Sequence, residues 1–335
     1  MALCKLGGKV KKAIITGVSG QDGSYLADLL LDKGYEVHGL IRQTTQFTSD
    51  RWGHLRGAMQ HSSFYVHYGD VADATGVRTL IDEIQPDEVY NLAAQSHVGQ
   101  SFEQPINTVN VTAMGPLNIL EAIRRSGSKT RFYEASSSEM FGNVLETPQK
   151  ETTAFNPRSP YGCAKVFGHQ ITKNYREAYG IYAVSGILFN HESERRGENF
   201  VTRKITRAVG RIVAGKQDNL TLGDVTAKRD WGYAPEYVDA MWRMMQQDAP
   251  QDYVIGTGDE LSVGEFCKLA FDCVNLDWKD YVKFDESNVR PSEVYTLRAD
   301  PSKAKAELDW SPRVRVHDLI KIMVDHDAAL ARREP

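Results

Sequence analysis

The stretch "KAIITGVSGQDGSYLADLLLDKGYEVHGLIR" (residues 12–42) decides the fold. A short apolar run, "KAIIT" (12–16), enters a turn that carries glycines at positions 17, 20 and 23. An amphipathic segment follows, and a second apolar run, "YEVHGLI" (35–41), closes the unit. A strand, a glycine-rich turn, a helix and a second strand in this order predict a βαβ unit that binds the phosphates of a dinucleotide.

The same alternation continues through the first half of the chain. The runs "FYVHY" (64–68), "EVYNLA" (88–93) and "RFYEAS" (131–136) are typical of strands, and segments of helical period separate them. Such alternation predicts an α/β protein with a Rossmann-type doubly wound parallel sheet. We assign residues 10–190 to this nucleotide-binding domain, with some later segments returning to it. Residues 191–335 mix charged helices with short strands, and we expect a smaller mixed α/β domain that mainly binds substrate.

Composition narrows the class of protein. The 335 residues carry a net charge of −4, with 41% hydrophobic and 25% charged residues, as in a soluble globular protein. The charge argues against a nucleic-acid binder, and no apolar run is long enough to span a membrane. The N-terminal "MALCKLGGKVKK" lacks the apolar core of a signal peptide, and the four cysteines lack metal-type spacing. We therefore expect a cytoplasmic protein with no metal, membrane or nucleic-acid partner.

The glycine-rich turn is the predicted cofactor site. Gly17 permits a tight turn, Gly20 lets backbone amides approach a pyrophosphate, and Gly23 lets helix and sheet pack closely. The residues assigned to this site are Gly17, Val18, Ser19, Gly20, Gln21, Asp22 and Gly23. The second strand ends in Arg42 without a carboxylate, and a guanidinium can fork onto a 2′-phosphate, so the sequence favours NADP over NAD.

Two further segments carry candidate catalytic groups. In "SPYGCAK" (159–165), Tyr161 and Lys165 are four apart and share one face of a predicted helix. A lysine ammonium near a phenol favours the phenolate and lowers the phenol's pKa from about 10, which makes it a usable base. In "EASSSEMFG" (134–142), three serines and Glu139 follow a buried strand, where inert turn residues would be ordinary. For Ser136 and Ser138 we favour simple turn chemistry.

These features resemble the extended short-chain dehydrogenase/reductase family, and further motifs resemble its GDP-mannose 4,6-dehydratases. The motifs are "QPDEVYNLAAQSHVGQSF", "NPRSPYGCAK", "GILFNHESERRGENFVTRKITRAV", "KRDWGYAPEYVDAMW" and "VRPSEV", together with the opening stretch. The resemblance covers nearly the whole chain. It implies conversion of GDP-mannose to GDP-4-keto-6-deoxy-mannose and water, with tightly bound NADP that is regenerated in each turnover. It also implies a homodimer or homotetramer.

The resemblance assigns roles to the catalytic candidates. Tyr161 takes the proton of the sugar 4-hydroxyl while the C4 hydride passes to NADP, and Lys165 supports Tyr161 and the nicotinamide ribose. The ketone at C4 acidifies C5, and Glu139 removes that proton and helps the 6-hydroxyl to leave as water. Ser137 hydrogen-bonds the 4-oxygen. The hydride then returns to C6.

Other positions are carried over by the same resemblance. The further cofactor-binding residues are Asp70, Val71, Leu92, Ala93, Ala94, Ser96, His191 and Arg196, together with Tyr161 and Lys165. The substrate-binding residues are Ser96, Ser137, Glu139, Tyr161, Asn190, Lys204, Arg229, Arg290 and Glu293.

Some positions depart from the family's pattern. Gln43 stands where a second arginine is usual, Ser137 replaces a usual threonine, and Ile106 replaces a frequent tyrosine. A dehydratase, reductase or epimerase acting on a related GDP-sugar therefore remains an alternative, as does a non-enzymatic NADP-binding regulatory protein. Glu139 argues against a reductase or epimerase, which needs no base for water elimination. The complete set of candidate catalytic residues argues against the regulatory protein.

Overall fold

A seven-stranded parallel sheet forms the centre of the computed structural model, which describes residues 9–42, 53–285, 292 and 294–334. Its strands are β1 (Lys12–Thr16), β2 (Glu36–Ile41), β3 (Phe64–Tyr68), β4 (Glu88–Asn91), β5 (Arg131–Ser137), β6 (Ala183–Leu188) and β11 (Tyr253–Ile255). Their order is β11-β6-β5-β4-β1-β2-β3, and all pairs are parallel. The predicted Rossmann-type sheet is confirmed.

Helices cover both faces of this sheet. They are α1 (Gln21–Asp32), α2 (Arg56–Met59), α3 (Ala74–Ile84), α4 (Val98–Glu103), α5 (Pro105–Thr112), α6 (Met114–Ser126), α7 (Pro160–Tyr179) and α9 (Ala234–Met244). One apolar cluster packs α1 and α9 against the sheet, and a second packs α3 and α6 against it. The central strands β1, β4 and β6 are mostly apolar because both of their faces are buried, as in a doubly wound fold, whereas the edge strand β3 is partly exposed.

The later part of the chain forms a smaller α/β unit beside the sheet. Its strands are β7 (Asn190–Glu192), β8 (Leu220–Leu222), β9 (Lys228–Arg229), β10 (Trp231–Tyr233), β12 (Leu261–Ser262), β13 (Val282–Phe284) and β14 (Thr296–Leu297). Its helices are α8 (Val201–Val213), α10 (Val263–Asp272), α11 (Trp278–Tyr281), α12 (Ser302–Leu308) and α13 (Val316–Arg333). A separate core lies among α8, α10 and α13. Because β11 lies at the edge of the main sheet, the chain returns to that sheet after residue 250.

The strand order places a ligand crevice at the carboxyl edge of the sheet. From β1 the chain proceeds outward to β2 and β3, and it then crosses back to β4, β5 and β6 on the other side of β1. Open parallel sheets bind ligands at such a reversal, outside the carboxyl ends of the strands. The glycine turn after β1 and the serine run after β5 both lie at this edge.

The described helices and acidic, histidine and cysteine side chains bear on membrane insertion and metal binding. Within the ranges given above, every helix is too short or too polar to cross a bilayer. The same residues contain no group of three or more His, Cys, Asp or Glu side chains that could hold a metal ion.

Candidate active site

A cavity of about 440 Å³ opens at the carboxyl edge of the sheet. One wall consists of the glycine turn, the ends of β4 and β5 and the first turn of α7. The facing wall comes from β7, α8, β9 and β10. The cavity therefore lies between the main sheet and the smaller unit, which is where the strand order predicts a ligand.

The glycine turn presents the N-terminus of α1 to this cavity. Gly17 has φ +67°, a conformation that favours glycine. Gly20 is the N-cap of α1 and offers no side-chain cap, so the first amides of the helix point out without an internal acceptor. A Cβ on Gly23 would lie 2.4 Å from the carbonyl oxygen of Gly17, so helix and turn touch without a side chain between them. This arrangement fits a diphosphate.

Asp22 places a carboxylate in the first turn of α1, and His191 neutralises it. His191 Nε2 lies 2.8 Å from Asp22 Oδ2, and Nδ1 donates to the Phe189 carbonyl at 2.7 Å. Both ring nitrogens face acceptors, an arrangement that favours the imidazolium form of His191. Burial disfavours charge on both groups, but their attraction outweighs it: the pKa of Asp22 lies below, and that of His191 above, its ordinary value. The ring also stacks on Tyr237, with centroids 4.5 Å apart.

Strand β5 delivers the serine run to the cavity floor. The strand ends at Ser137, and a 3-10 turn, Ser138–Met140, follows. The Ser137 hydroxyl accepts from the backbone amide of Glu139 at 3.2 Å, which fixes the turn that carries the glutamate. Ser136 instead lies 3.1 Å from Nδ1 of the buried His169. The expected turn chemistry for Ser136 is therefore replaced by a contact within the core.

Helix α7 presents Tyr161 and Lys165 on one face, as the spacing predicts. Ser159 caps the helix by accepting from the Gly162 amide at 3.0 Å, and Pro160 occupies the first turn. Lys165 is 3% exposed, and its Nζ lies 6.0 Å from the Tyr161 ring centroid. The ammonium donates to the Ala135 carbonyl at 2.6 Å. Both side chains reach the cavity from the side of β5.

Glu139 faces a cation from the smaller unit. Its Oε1 lies 3.9 Å from Arg229 Nη2, and both residues are buried. Arg229 is itself held by the backbone, because its Nη1 donates to the Val294 carbonyl at 2.7 Å. The guanidinium therefore lies on the side of Glu139 that faces the smaller unit.

Most of the predicted site residues meet in this one cavity. Those that line it are Gly17, Gly20, Gln21, Asp22, Gly23, Leu92, Ala94, Ser96, Ser137, Glu139, Tyr161, Lys165, Asn190, His191, Arg196, Lys204 and Arg229. Arg290, Glu293 and Gln43 lie outside the described residues.

Six predicted cofactor residues lie away from the lining. Val18 and Val71 are buried in apolar clusters, and Ala93 donates its amide to Thr16 Oγ1 at 3.1 Å. The other three are Ser19, which is half-buried, Arg42, which is exposed beyond the end of β2, and Asp70, which accepts from the Ala72 amide at 2.9 Å.

The cavity also contains residues that the sequence did not single out. His97 and Phe200 line it with ring centroids 5.8 Å apart, and Thr202 and Trp231 lie along the wall of the smaller unit. An isolated aromatic or apolar side chain gives no sequence signal that separates a cavity wall from a core. The segment "NFVTRKI" did mark Phe200 and Thr202, but only as part of a family-like stretch.

Fold and site together define a short-chain dehydrogenase/reductase-type protein: a doubly wound sheet, a glycine turn at its carboxyl edge, and a Tyr-x-x-x-Lys helix beside it. The family model described as GDP-mannose 4,6 dehydratase matches residues 14–323. The chain belongs to the GDP-mannose 4,6 dehydratase family.

Individual relatives agree over nearly the full length. The chain is 54% identical over 331 residues to GDP-mannose 4,6 dehydratase 1 of Arabidopsis thaliana, covering 97% of this chain and 91% of the relative. It is 50% identical over 347 residues to GDP-mannose 4,6 dehydratase 2 of Caenorhabditis elegans, covering 97% and 91%. Among solved structures, UDP-glucose 4-epimerase of Thermus thermophilus in complex with NAD superposes with a TM-score of 0.81 at 25% identity, covering 94% of this chain and 98% of the epimerase.

Proposed function

We propose that this chain is a GDP-mannose 4,6-dehydratase, a hydro-lyase that converts GDP-mannose into GDP-4-keto-6-deoxy-mannose and water. One observation carries the proposal: Ser137, Glu139, Tyr161 and Lys165 converge on the cavity that contains the glycine turn. The relatives that match nearly the whole chain are named GDP-mannose 4,6 dehydratases, and these names support the same activity.

The nicotinamide cofactor is assigned from the fit of the glycine turn. The uncapped N-terminus of α1 suits a diphosphate, and the epimerase that shares the fold holds NAD. When bound, the cofactor would supply a reversible hydride acceptor for C4 and hydride donor for C6 of the sugar. Arg42, exposed beyond β2, supports NADP as the particular form, because a guanidinium can bind a 2′-phosphate.

The chain's own residues then divide the proton transfers. Tyr161 takes the proton of the 4-hydroxyl, and the positive charge of Lys165 favours the phenolate that does so. Ser137 donates a hydrogen bond to the 4-oxygen as it becomes a carbonyl. Glu139 removes the acidified C5 proton and delivers it to the departing 6-hydroxyl, so that water leaves. C5 regains a proton from solvent, which balances the proton that Tyr161 took from the 4-hydroxyl.

Substrate binding and assembly are inferred from the same surroundings. Asn190, Lys204 and Arg229 are proposed to bind the GDP portion, since they line the wall opposite the glycine turn. The predicted division at residue 190 remains a proposal, as does a cytoplasmic location. We retain the homodimer or homotetramer as well. It is supported by Ile106 and Phe167, which are 77% and 40% exposed on the adjacent helices α5 and α7.

The test is to incubate the purified protein with GDP-mannose without added cofactor and to follow the sugar by mass spectrometry. The expected product has lost the mass of one water molecule, with no steady consumption of NADPH, because the hydride is borrowed and returned. An unchanged mass, or stoichiometric oxidation of NADPH, would contradict the dehydratase.

Two variants test the roles, and one matched variant controls for packing. Tyr161→Phe removes the C4 base and is expected to abolish turnover while GDP-mannose still binds. Tyr175→Phe is the control, because Tyr175 lies on the same helix with the same 8% exposure. Glu139→Gln is expected to allow oxidation at C4 but to stop solvent deuterium from entering C5. Near-normal turnover in Glu139→Gln would show that another group removes the C5 proton.

A further inference from the structure

A row of buried polar side chains crosses the sheet behind the cavity. Thr16, Asn91 and Glu134 are register partners on β1, β4 and β5, so they stand side by side on one face of the sheet. Thr16 Oγ1 donates to Asn91 Oδ1 at 2.7 Å, and Asn91 Nδ2 donates to Glu134 Oε2 at 2.7 Å. The Thr16 hydroxyl also accepts the backbone amides of residues 92 and 93. The row therefore fixes the orientation of each member.

The row ends at the candidate catalytic lysine. Glu134 is 0% exposed, and its Oε1 lies 3.5 Å from Lys165 Nζ. That oxygen has no hydrogen-bond partner in the described part of the chain, so its strongest polar contact there is the ammonium. A Cβ on Gly168 would come within 3.4 Å of the same oxygen, so this glycine, one turn after Lys165, leaves room for the carboxylate.

An ammonium that is 3% exposed needs an opposite charge close by, because burial otherwise favours the neutral amine. We propose that Glu134 is a positioning residue for Lys165: its buried carboxylate supplies the counter-charge that keeps the lysine protonated and directed at Tyr161. The proposal rests on the proposed function, in which Tyr161 acts as the base and Lys165 favours its phenolate. Glu134 touches neither substrate nor reacting atoms.

Several other titratable groups of the described residues lie near this pair. Tyr133 of β5 lies beside Glu134, and Tyr161 and His169 lie on α7 with the lysine. Glu139 of the 3-10 turn and the Asp22–His191 pair line the same cavity. Residues 112 and 116, from α5 and α6, approach Gly168 next to Glu134, and neither is titratable. Burial raises the pKa of the Glu134 carboxyl, and the Lys165 ammonium and the Asn91 amide oppose that rise.

The first measurement is the pH profile of kcat in Glu134→Gln. Removing one negative charge beside Lys165 and Tyr161 favours the deprotonated form of both, so the whole profile should move toward acid by about one pH unit or more. On the alkaline limb this corresponds to an approximately tenfold loss of kcat, with KM for GDP-mannose unchanged. Glu134→Asp keeps the charge and should restore most of the profile.

Glu88→Gln is the matched control. Glu88 is 1% exposed, also lies in the sheet, and its Oε1 is 2.9 Å from the Lys11 ammonium, but it begins β4 at the amino edge, away from the cavity. Its loss should leave the pH profile in place, even if it lowers the melting temperature. A profile displaced equally in both glutamine variants would overturn the proposal.

A second measurement does not depend on turnover. In nucleotide-free protein carrying ¹⁵N-labelled lysine, the Lys165 signal is assigned by its loss in Lys165→Arg and followed against pH. It should titrate at lower pH in Glu134→Gln than in the unmodified protein, whether or not GDP-mannose proves to be the substrate. If Lys165 titrates identically in Glu134→Gln and in the unmodified protein, the proposal that Glu134 supplies its counter-charge is overturned.

If Glu134→Gln fails to fold, the double variant Glu134→Gln/Lys165→Met shows whether the cause is the unpaired Lys165 ammonium or lost packing. It removes both partners and hence the unpaired buried charge, so it should fold where the single variant does not. Failure of both to fold would show that Glu134 serves packing alone and would overturn the proposal.

Discussion

Replacing Gly23 with alanine is expected to damage both the stability and the nucleotide affinity of the protein. The added Cβ would lie 2.4 Å from the Gly17 carbonyl oxygen and 2.6 Å from the Val18 Cα. Both are backbone atoms, so no side-chain rotation relieves the overlap. Non-bonded atoms prefer a separation of about 3.5 Å, so α1 must move away from the turn by about 1 Å.

The size of the effect follows from that displacement. Overpacking of this kind costs about 1–3 kcal/mol, and alanine's better helix propensity returns about 1 kcal/mol, which leaves a net loss of up to about 2 kcal/mol in unfolding free energy. The same movement carries the first amides of α1 away from a bound diphosphate. Losing about 1.4 kcal/mol of binding free energy corresponds to a tenfold weaker Kd.

Thermal unfolding of nucleotide-free protein measures the first effect, and calorimetric titration with NADP measures the second. Gly57→Ala is the control, because Gly57 lies on α2 and an added Cβ there meets nothing within 4 Å. That control should keep the Kd and gain up to about 1 kcal/mol in unfolding free energy. A Gly23→Ala protein with unchanged Kd and melting temperature would refute the close approach of turn and helix.

Two further predictions concern charge. In the folded protein the pKa of His191 is raised and the pKa of Asp22 is lowered. Their ion pair therefore makes its full contribution to the free energy of unfolding between about pH 4 and pH 6.5. The unmodified protein should melt at a higher temperature than His191→Gln within this pH range. The difference should shrink above the range as His191 loses its proton, and below it as Asp22 gains one. A difference that does not vary with pH would contradict the ion pair. Arg42→Ala should remove most of a roughly ten- to hundredfold preference for NADP over NAD, because a charged hydrogen bond to phosphate contributes about 1.5–3 kcal/mol. Arg78→Ala on α3 serves as the control, and calorimetry with both nucleotides makes the comparison; an unchanged preference in Arg42→Ala would show that Arg42 is a surface charge.

Local patterns in the sequence predict the elements of this fold well. The run "KAIIT" becomes β1 with the predicted limits, and the Tyr-x-x-x-Lys spacing becomes one face of α7. Both depend on residues within a few positions of one another. The predicted strand 88–93 ends earlier, at Asn91, because the next two amides donate to the hydroxyl of Thr16 instead of to a neighbouring strand.

Contacts between distant segments are what the sequence could not provide. Glu134 opens the stretch "EASSSEMFG", yet the sequence gives no signal for its role, because nothing in the linear chain shows that β4 and α7 place an amide and an ammonium against it. The partnership of Asp22 with His191 likewise joins residues that are 169 positions apart. Register and helix packing create these pairs, and neither can be read from residue spacing.

The pairs also explain how an anionic nucleotide sugar could enter a site with several carboxylates. Asp22, Glu134, Glu139 and Glu192 each lie within 4 Å of a cation, respectively His191, Lys165, Arg229 and Arg196. These four acids are therefore compensated locally and oppose a diphosphate less than unpaired carboxylates would. Asp224, which also lines the cavity, accepts hydrogen bonds from Thr226 instead. Asp22 and Glu139 belong to the first half of the chain, and their cationic partners His191 and Arg229 belong to the second half. Because those two pairs cross the cavity, the arrangement that admits the ligand also holds the smaller unit against the sheet.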